Sequence, residues 1–344
     1  MNYRVLLTTV FCLICLCGLS QSKFKRDSIR NLTVQRFQEY FFCWPVLKQL
    51  STSFEFRADA GKNVKFKPNS SYHLGFGVYL FEVQFELTFA LPLDDNSKRL
   101  YGDSHSEDEQ ANILGKSWGA DLFISDYRGF YKDDSANPTG SNKPFPQRPD
   151  IHTHNVGVNG IYILKPNKFS LRSAFNFAER QKKSGGSLTL VGSLNTYRAS
   201  ADSAILSQKY DAVFGKMTDF NRLRTTNFSL APGYAYAVVF KNVFLNTSLA
   251  VGPAVNWINF SVVGGQRYAQ TSLNAFIDFR VAIGYNAQRF FTGISFINQS
   301  RNFKFESTNF TSSSTTFKVV IGYRFREFGI LKKKASDLLF FIKK

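Results

Sequence analysis

The chain reads as all-β: an antiparallel transmembrane β-barrel of about 12 strands (12–14), with a short N-terminal lead-in and a C-terminal tail. Three observations predict this. Apolar and polar residues alternate in one segment after another, and period two marks a strand with one face in water and one out of it. After Leu19 no segment has the ~20 consecutive apolar residues of a membrane-spanning helix. Aromatic residues make up 16% of the chain, with 37 Phe, which suits a surface in contact with lipid and girdled by aromatic rings.

The first residues set the compartment. Arg4 begins the apolar run Val5–Leu19, and small residues follow at Gly18, Ser20 and Ser22, the layout of a cleaved signal peptide over residues 1–22. An uncleaved anchor would need ~20 apolar residues. A lipoprotein would need a small residue before its cysteine, whereas Phe11, Ile14 and Leu16 precede Cys12, Cys15 and Cys17. These three cysteines leave with the signal. Cys43 alone remains, a small buried hydrophobe by expectation, which excludes internal disulfides, cysteine zinc sites and Cys-x-x-Cys redox chemistry. Cleavage subtracts only Arg4 from a formal charge of +18. In a secreted chain with no nucleic-acid recognition module, that charge points to a phosphate-rich surface, outer-membrane lipid or lipopolysaccharide phosphates.

Residues 23–50 read as a periplasmic lead-in, with Val34, Phe37, Tyr40 and Phe41 at helical spacing before Pro45. The barrel then spans 51–326. Ser51–Arg57 is its first strand, and Asn63–Pro68 a short strand or part of a loop. In Ser70–Pro92, Tyr72, Leu74, Phe76, Val78 and Leu80 share one parity, while Phe81, Val83, Phe85, Leu87, Phe89 and Leu91 share the other. Such a switch requires a tight reversal near Tyr79–Glu82, and arms of about ten residues match a transmembrane strand of ~9–11. Asp94–Ser106 is polar and reads as a loop. Glu107–Tyr127 is a second hairpin turning at Gly115–Lys116, and the proline-rich Arg128–Ile151 is a long loop.

Val156–Leu164 and Phe169–Phe177 read as a third hairpin, and Ser187–Tyr197 as a further strand. Ala201–Phe214, without alternation, Gly or Pro, reads as a short helix in a loop. Phe228–Phe240, Val243–Trp257, Leu273–Tyr285, Phe290–Asn298 and Thr315–Arg326 complete the set. Thirteen strands emerge, and a barrel of even number asks for one gained or lost near residues 180–224. The tail 327–344 carries Leu338–Ile342 between lysines, suited either to a membrane interface or to packing on the barrel mouth.

SYHLGFGVYLFEVQFELTFALP, LGKSWGADLFISDYRGFY, PNKFSLRSAFNFAERQKKSGGSLTLVG, APGYAYAVVFKNVFLNTSLAVGP and IGYRF occur in this order. With them the chain resembles the Bacteroidetes domain-of-unknown-function 4421 family over roughly Leu50–Phe325; Leu80–Glu82 departs from the turn composition expected there. The resemblance implies an outer-membrane barrel of unassigned function and carries over no catalytic residue.

The polar faces of the strands nominate Glu55, Arg57, Glu82, Glu86, Asp121, Arg172, Asp278, Arg280, Lys318, Arg324 and Arg326 as lumen charges, since a charge at mid-depth on the lipid face costs ~2–4 kcal/mol. They form either an internal salt-bridge network that props or plugs the barrel, or a pore in which Arg172, Arg280, Lys318 and Arg324 favour a small anion. Asp150, His152 and His154 share a parity, but no metal or cofactor site is expected from them. No G-x-S-x-G elbow accompanies His73 and Ser71, so the chain is not expected to be an enzyme, an outer-membrane hydrolase being the weakest reading. Gly185-Gly186, after Lys182-Lys183-Ser184, precedes a strand and not a helix, which excludes a P-loop. A secreted soluble β protein that binds a surface ligand is the alternative to the barrel. Phe76, Val83, Phe85, Val238, Leu249, Phe279, Val319 and Ile321 separate the two, facing lipid in one case and a dry core in the other.

Overall fold

Alternation drives nearly every element. In the computed structural model the described residues are 30–326, apart from 38, 59–60, 81–82, 134–142, 207–213, 215–218 and 306–307. The signal peptide and the 327–344 tail lie outside them. In chain order the elements are β1 (Val34–Arg36), β2 (Tyr40–Ala58), β3 (Asn63–Lys67), β4 (Tyr72–Leu80), β5 (Val83–Ala90), α1 (Asp95–Tyr101), β6 (His105–Leu114), β7 (Trp118–Asp133) and β8 (Gln147–Ile163). There follow α2 (Arg172–Phe175), β9 (Glu179–Gln181), β10 (Gly185–Ser200), β11 (Phe220–Phe240), β12 (Val243–Val262), β13 (Arg267–Asn286), β14 (Phe290–Phe305) and β15 (Thr308–Arg326).

Ten antiparallel strands close a ring: β2, β3, β7, β8 and β10 to β15, with β15 returning to β2 from Thr308↔Ala58 to Arg326↔Tyr40. The sequence leads to an expectation of about twelve. The difference lies beside β2. There β3 bridges β2 and β7 only as far as Lys67↔Tyr131, and Pro68, which has no N–H for a ladder, follows. The chain resumes pairing with β2 at Tyr72↔Gln49 as β4, whose other edge takes β5 instead of β7. The strand β6 pairs with β7. Among the described residues no pairing joins β5 to β6. One short strand at one level of the wall is thus replaced at the next by three strands with a seam among them.

Several expectations are corrected. The helical spacing near Phe37 does not form a helix: β1 and β2 are extended, and β2 begins at Tyr40 instead of Ser51. Pro45 is accommodated because the β15 ladder steps from Val46 to Cys43, while β4 still pairs Phe76 with it. Phe169–Phe177 is not a strand; its residues are mostly buried and include α2. β7 and β8 run on into the expected Arg128–Ile151 loop, to Asp133 and from Gln147, with 134–142 outside the described residues, and Asp94–Ser106 contains α1, whose Asp94 side chain accepts from the Ser97 N–H. Residues 201–206 are not helical, and most of 207–214 lies outside the described residues.

The two faces of the wall differ as the alternation requires. Phe76, Phe85, Val238, Leu249, Phe279 and Ile321 are exposed on the outside, with Leu87 and Phe89 more than 60% so. Val319 is half-buried, and the side chain of Val83 lies outside the described set. Inward, apolar side chains gather in three buried clusters. One cluster occupies the rim near the longer connections, another the rim of the termini and short turns, and a third the β8–β10–β11 wall. Gly77 is small because a Cβ there would overlap the Trp44 indole.

Candidate functional site

The site is the lumen, in three layers. Toward the long-connection rim the inward faces of β2, β3 and β15 are aromatic. Phe54 stacks on Phe66 at 5.0 Å and Phe303 on Phe310 at 4.6 Å, with Phe56, Phe130, Phe220 and Tyr197 against them. Here the inner face is the apolar one. That reverses the expectation for Glu55 and Arg57, which point outward near the rim and pair with each other at 2.9 Å. They need not enter lipid, because β2 is 19 residues long and a bilayer uses only ~9–11 of them.

The middle layer is polar. Arg280 on β13 donates to Asp278 at 2.8 Å and, across the lumen, to Asp121 of β7 at 2.8 Å. Gln299 donates to Asp278 at 2.7 Å, and Asn159 donates to Gln299 at 2.9 Å. Arg301 donates to Asn159 and Ser193 and lies 5.1 Å over the Phe276 ring. This chain of bonds ties β7, β8, β10, β13 and β14 through the interior. Arg280, Asp278 and Arg301 are almost wholly buried, so their mutual bonding is what makes their burial tolerable.

Below it, β1 and β9 form a two-stranded ribbon, Val34↔Gln181 to Arg36↔Glu179, inside the short-turn mouth. Glu179 is fully buried between Arg30, at 2.7 Å through both oxygens, Arg36 at 3.5 Å and Arg172 at 3.6 Å. Burial pushes its carboxyl up, but the Arg30 hydrogen bonds, the Arg172 and Arg30 charges and the Ser170 hydroxyl outweigh this and hold it below the ordinary carboxylate value. Arg172 also donates to the Tyr79 hydroxyl at 2.6 Å. Arg324, fully buried on β15, donates to the carbonyls of Phe177 and Ala287 and to the Asn286 side chain, and lies against Phe37, Phe42 and Phe291.

Beside the seam lies a second, wetter group. Lys318 donates to Glu86 at 2.8 Å, and the Trp44 indole N–H and Gln84 amide donate to the same carboxylate. Lys48 stands opposite Lys318 on one side and His73 on the other. Asp108 on β6 accepts from the Tyr127 hydroxyl. Gln110 and Asn112, on the inward parity of β6, are exposed.

Of the nominated charges, Glu86, Asp121, Asp278, Arg280, Lys318 and Arg324 thus point inward from strands, and Arg172 reaches the interior from α2. Arg326 is exposed at the end of β15, at the short-turn rim and not in the lumen, and Glu82 lies outside the described residues. Lys48, Asp108, Arg301, Arg30 and Glu179 escaped the sequence reading. Lys48 and Arg301 fall on strands that extend beyond their expected ends, and Asp108 lies in EDEQANIL, where alternation is poor. His152 and His154 do share a face of β8, and both contact Asp126 of β7, at 2.6 and 3.2 Å. Asp150 turns instead to Arg148. Among the described residues no group of three or more potential ligands is spaced to hold a metal ion.

Structures similar to this chain include Ail, the attachment invasion locus protein of Yersinia pestis, 10% identical, with a TM-score of 0.25 over 83% of this chain and 98% of that one. They include the translocator domain of autotransporter NalP from Neisseria meningitidis, 7% identical, TM-score 0.28, covering 83% and 89%. The Ralstonia pickettii toluene transporter TbuX is 6% identical, TM-score 0.24, covering 84% and 90%. Similarity this low carries no argument about what this chain does. No curated protein sequence matches it. Residues 34–325, from β1 to the end of β15, match the family described as Domain of unknown function (DUF4421), and the chain belongs to that family.

Proposed function

We propose that the protein is an outer-membrane β-barrel whose own side chains close its lumen, so that it acts as a structural, non-conducting barrel and not as a pore or an enzyme. One observation carries the reading: a closed ring whose outer face is apolar encloses buried clusters at both rims and a buried, mutually bonded layer of charges between them, and leaves the Lys318–Glu86 group beside the seam part-exposed. An apolar outer face has no second layer to pack on, and the ring of ten strands closes on itself as lipid demands, with open edges among the described residues confined to the β5–β6 seam. The cations that would select an anion are already engaged: Arg280 by two aspartates, Lys318 by Glu86, Arg172 by Glu179 and Tyr79, Arg324 by carbonyls. The hydrolase reading finds no support at His73, to which no serine hydroxyl is bonded among the described residues.

The test is a planar bilayer recording on protein extracted with detergent from the outer-membrane fraction. Silence is expected. Steady anion-selective conductance, reversed by Arg280→Glu, would establish a pore instead, and recovery of the protein without detergent would establish the secreted soluble alternative.

A further inference from the structure

At the long-connection rim Arg57, Lys67 and Arg148 each pair with a carboxylate, of Glu55, of Asp133 at 2.5 Å and of Asp150 at 2.8 Å. At the short-turn rim a cavity of about 590 Å³ opens where the β8–β10 connection leaves the wall, lined by Lys165, Lys168, Lys183, Thr33 and Tyr234. No carboxylate lines it, and among the described residues none of the three ammonium groups has a hydrogen-bond or ion-pair partner. The nearest acid of the plug, Glu179, is spent on Arg30, Arg36 and Arg172. The three lysines are exposed, and their positive charges line one space with no carboxylate among its lining residues, which favours an anion there.

The glycine pair that makes no P-loop has its place here. Gly185 and Gly186 line the cavity, and a Cβ on Gly186 would run into the Tyr234 hydroxyl and the Tyr236 ring, one on Gly185 into the Lys168 carbonyl. The hydroxyls of Ser184 and Ser187 are bonded to Val239 and to Lys165 and Leu188, so the free donors are the three ammoniums and the Tyr234 and Thr33 hydroxyls. That donor count suits a phosphoryl group with several acceptor oxygens better than a two-oxygen carboxylate. The volume lies within the ~300–1,000 Å³ of small-molecule sites. The cavity borders the exposed outer face, with Tyr162, Leu164, Leu188 and Tyr234 beside it, so an acyl chain attached to a bound phosphate would lie along the wall.

We propose that this cavity binds the phosphate of a phospholipid headgroup in the leaflet at the short-turn rim, the periplasmic side of such barrels. The inference rests on the membrane reading above. Native mass spectrometry of the detergent-solubilised protein tests it, with phosphatidylglycerol, diacylglycerol, glycerol phosphate and inorganic phosphate offered in turn. Phosphatidylglycerol should bind and diacylglycerol should not. Lys165→Gln, Lys168→Gln and Lys183→Gln together should weaken binding on the order of a hundredfold, about fivefold per lysine, and the matching Lys→Arg variant should keep it. Binding of inorganic phosphate as tight as that of the lipid would make the site a free-phosphate site and overturn the lipid assignment. Equal lipid binding by the wild type and the Lys→Gln variant, in a protein that still needs detergent, would overturn the site and leave the barrel standing. A protein soluble without detergent would remove the membrane reading itself.

Discussion

From β10 to β15 the wall is a run of strands sixteen to twenty-one residues long, each bonded to a neighbour on both edges. From β3 to β6 it is built of shorter pieces: β3 has five residues, β4 nine, β5 eight and β6 ten, and among the described residues the edges of β5 and β6 that face across the seam are unpaired. The charges behind the two walls follow suit. Behind the continuous wall Asp278 and Arg280 are 0% and 3% exposed and bonded several times over. Glu86 of the split wall and its partner Lys318, on β15 where the continuous wall meets β2, keep 15–16% of their surface. The difference teaches where water reaches. Strand edges and charges cannot both be left wet and placed in hydrocarbon, so the seam has to open on a hydrated interior or be covered.

The largest effect expected is on the continuous side. Arg280→Ala leaves Asp278 and Asp121 without their cation in the dry middle layer, and removing one partner of such a pair costs ~3–5 kcal/mol. Lys318→Met should cost only about 1–2 kcal/mol, between a buried and an exposed pair, because Trp44, Gln84 and water still serve Glu86. Urea unfolding in detergent measures both. Equal losses would mean the two walls do not differ in hydration.

Hydrogen exchange sharpens the same contrast without a mutation. Amides of β11 to β13 should exchange at least ~100-fold more slowly than those on the facing edges of β5 and β6, since open edges exchange without unfolding. Equal protection would show that something covers the seam.

The long strands were legible in the sequence because their outer faces alternate without interruption: Val243–Trp257 and Leu273–Tyr285 lie wholly inside β12 and β13. The reading failed where the interior is itself apolar. On β2, Phe54 and Phe56 turn inward to an aromatic cluster, so assigning apolar residues to lipid placed Glu55 and Arg57 on the wrong face. It failed again where the chain leaves the wall. The run Phe169–Phe177 is apolar enough for a strand, yet Phe169, Leu171 and Phe177 are buried inside the mouth, a burial no period-two pattern distinguishes from burial in lipid. The seam was invisible for a different reason. The β4–β5 hairpin alternates well and β6 poorly, and neither pattern says which edges pair: that is decided by the break at Pro68, through partners far away in sequence.

The plug that joins the two walls gives the smallest effect and the most direct check on its own electrostatics. Glu179 titrates below its ordinary value of 4.5 because Arg30 and Arg172 favour the ionised form. The unfolded chain therefore takes up this proton at a higher pH than the folded one. The contribution of Glu179 to stability is complete above about pH 4.5 and is lost as the pH falls through its lower folded value. Unfolding midpoints of the wild type and Glu179→Gln, compared from about pH 6 to 3, should converge in that window and nowhere above it. A gap that stays constant down to the lowest pH would mean that the Glu179 contacts act by shape and hydrogen bonding alone, with no contribution from its charge.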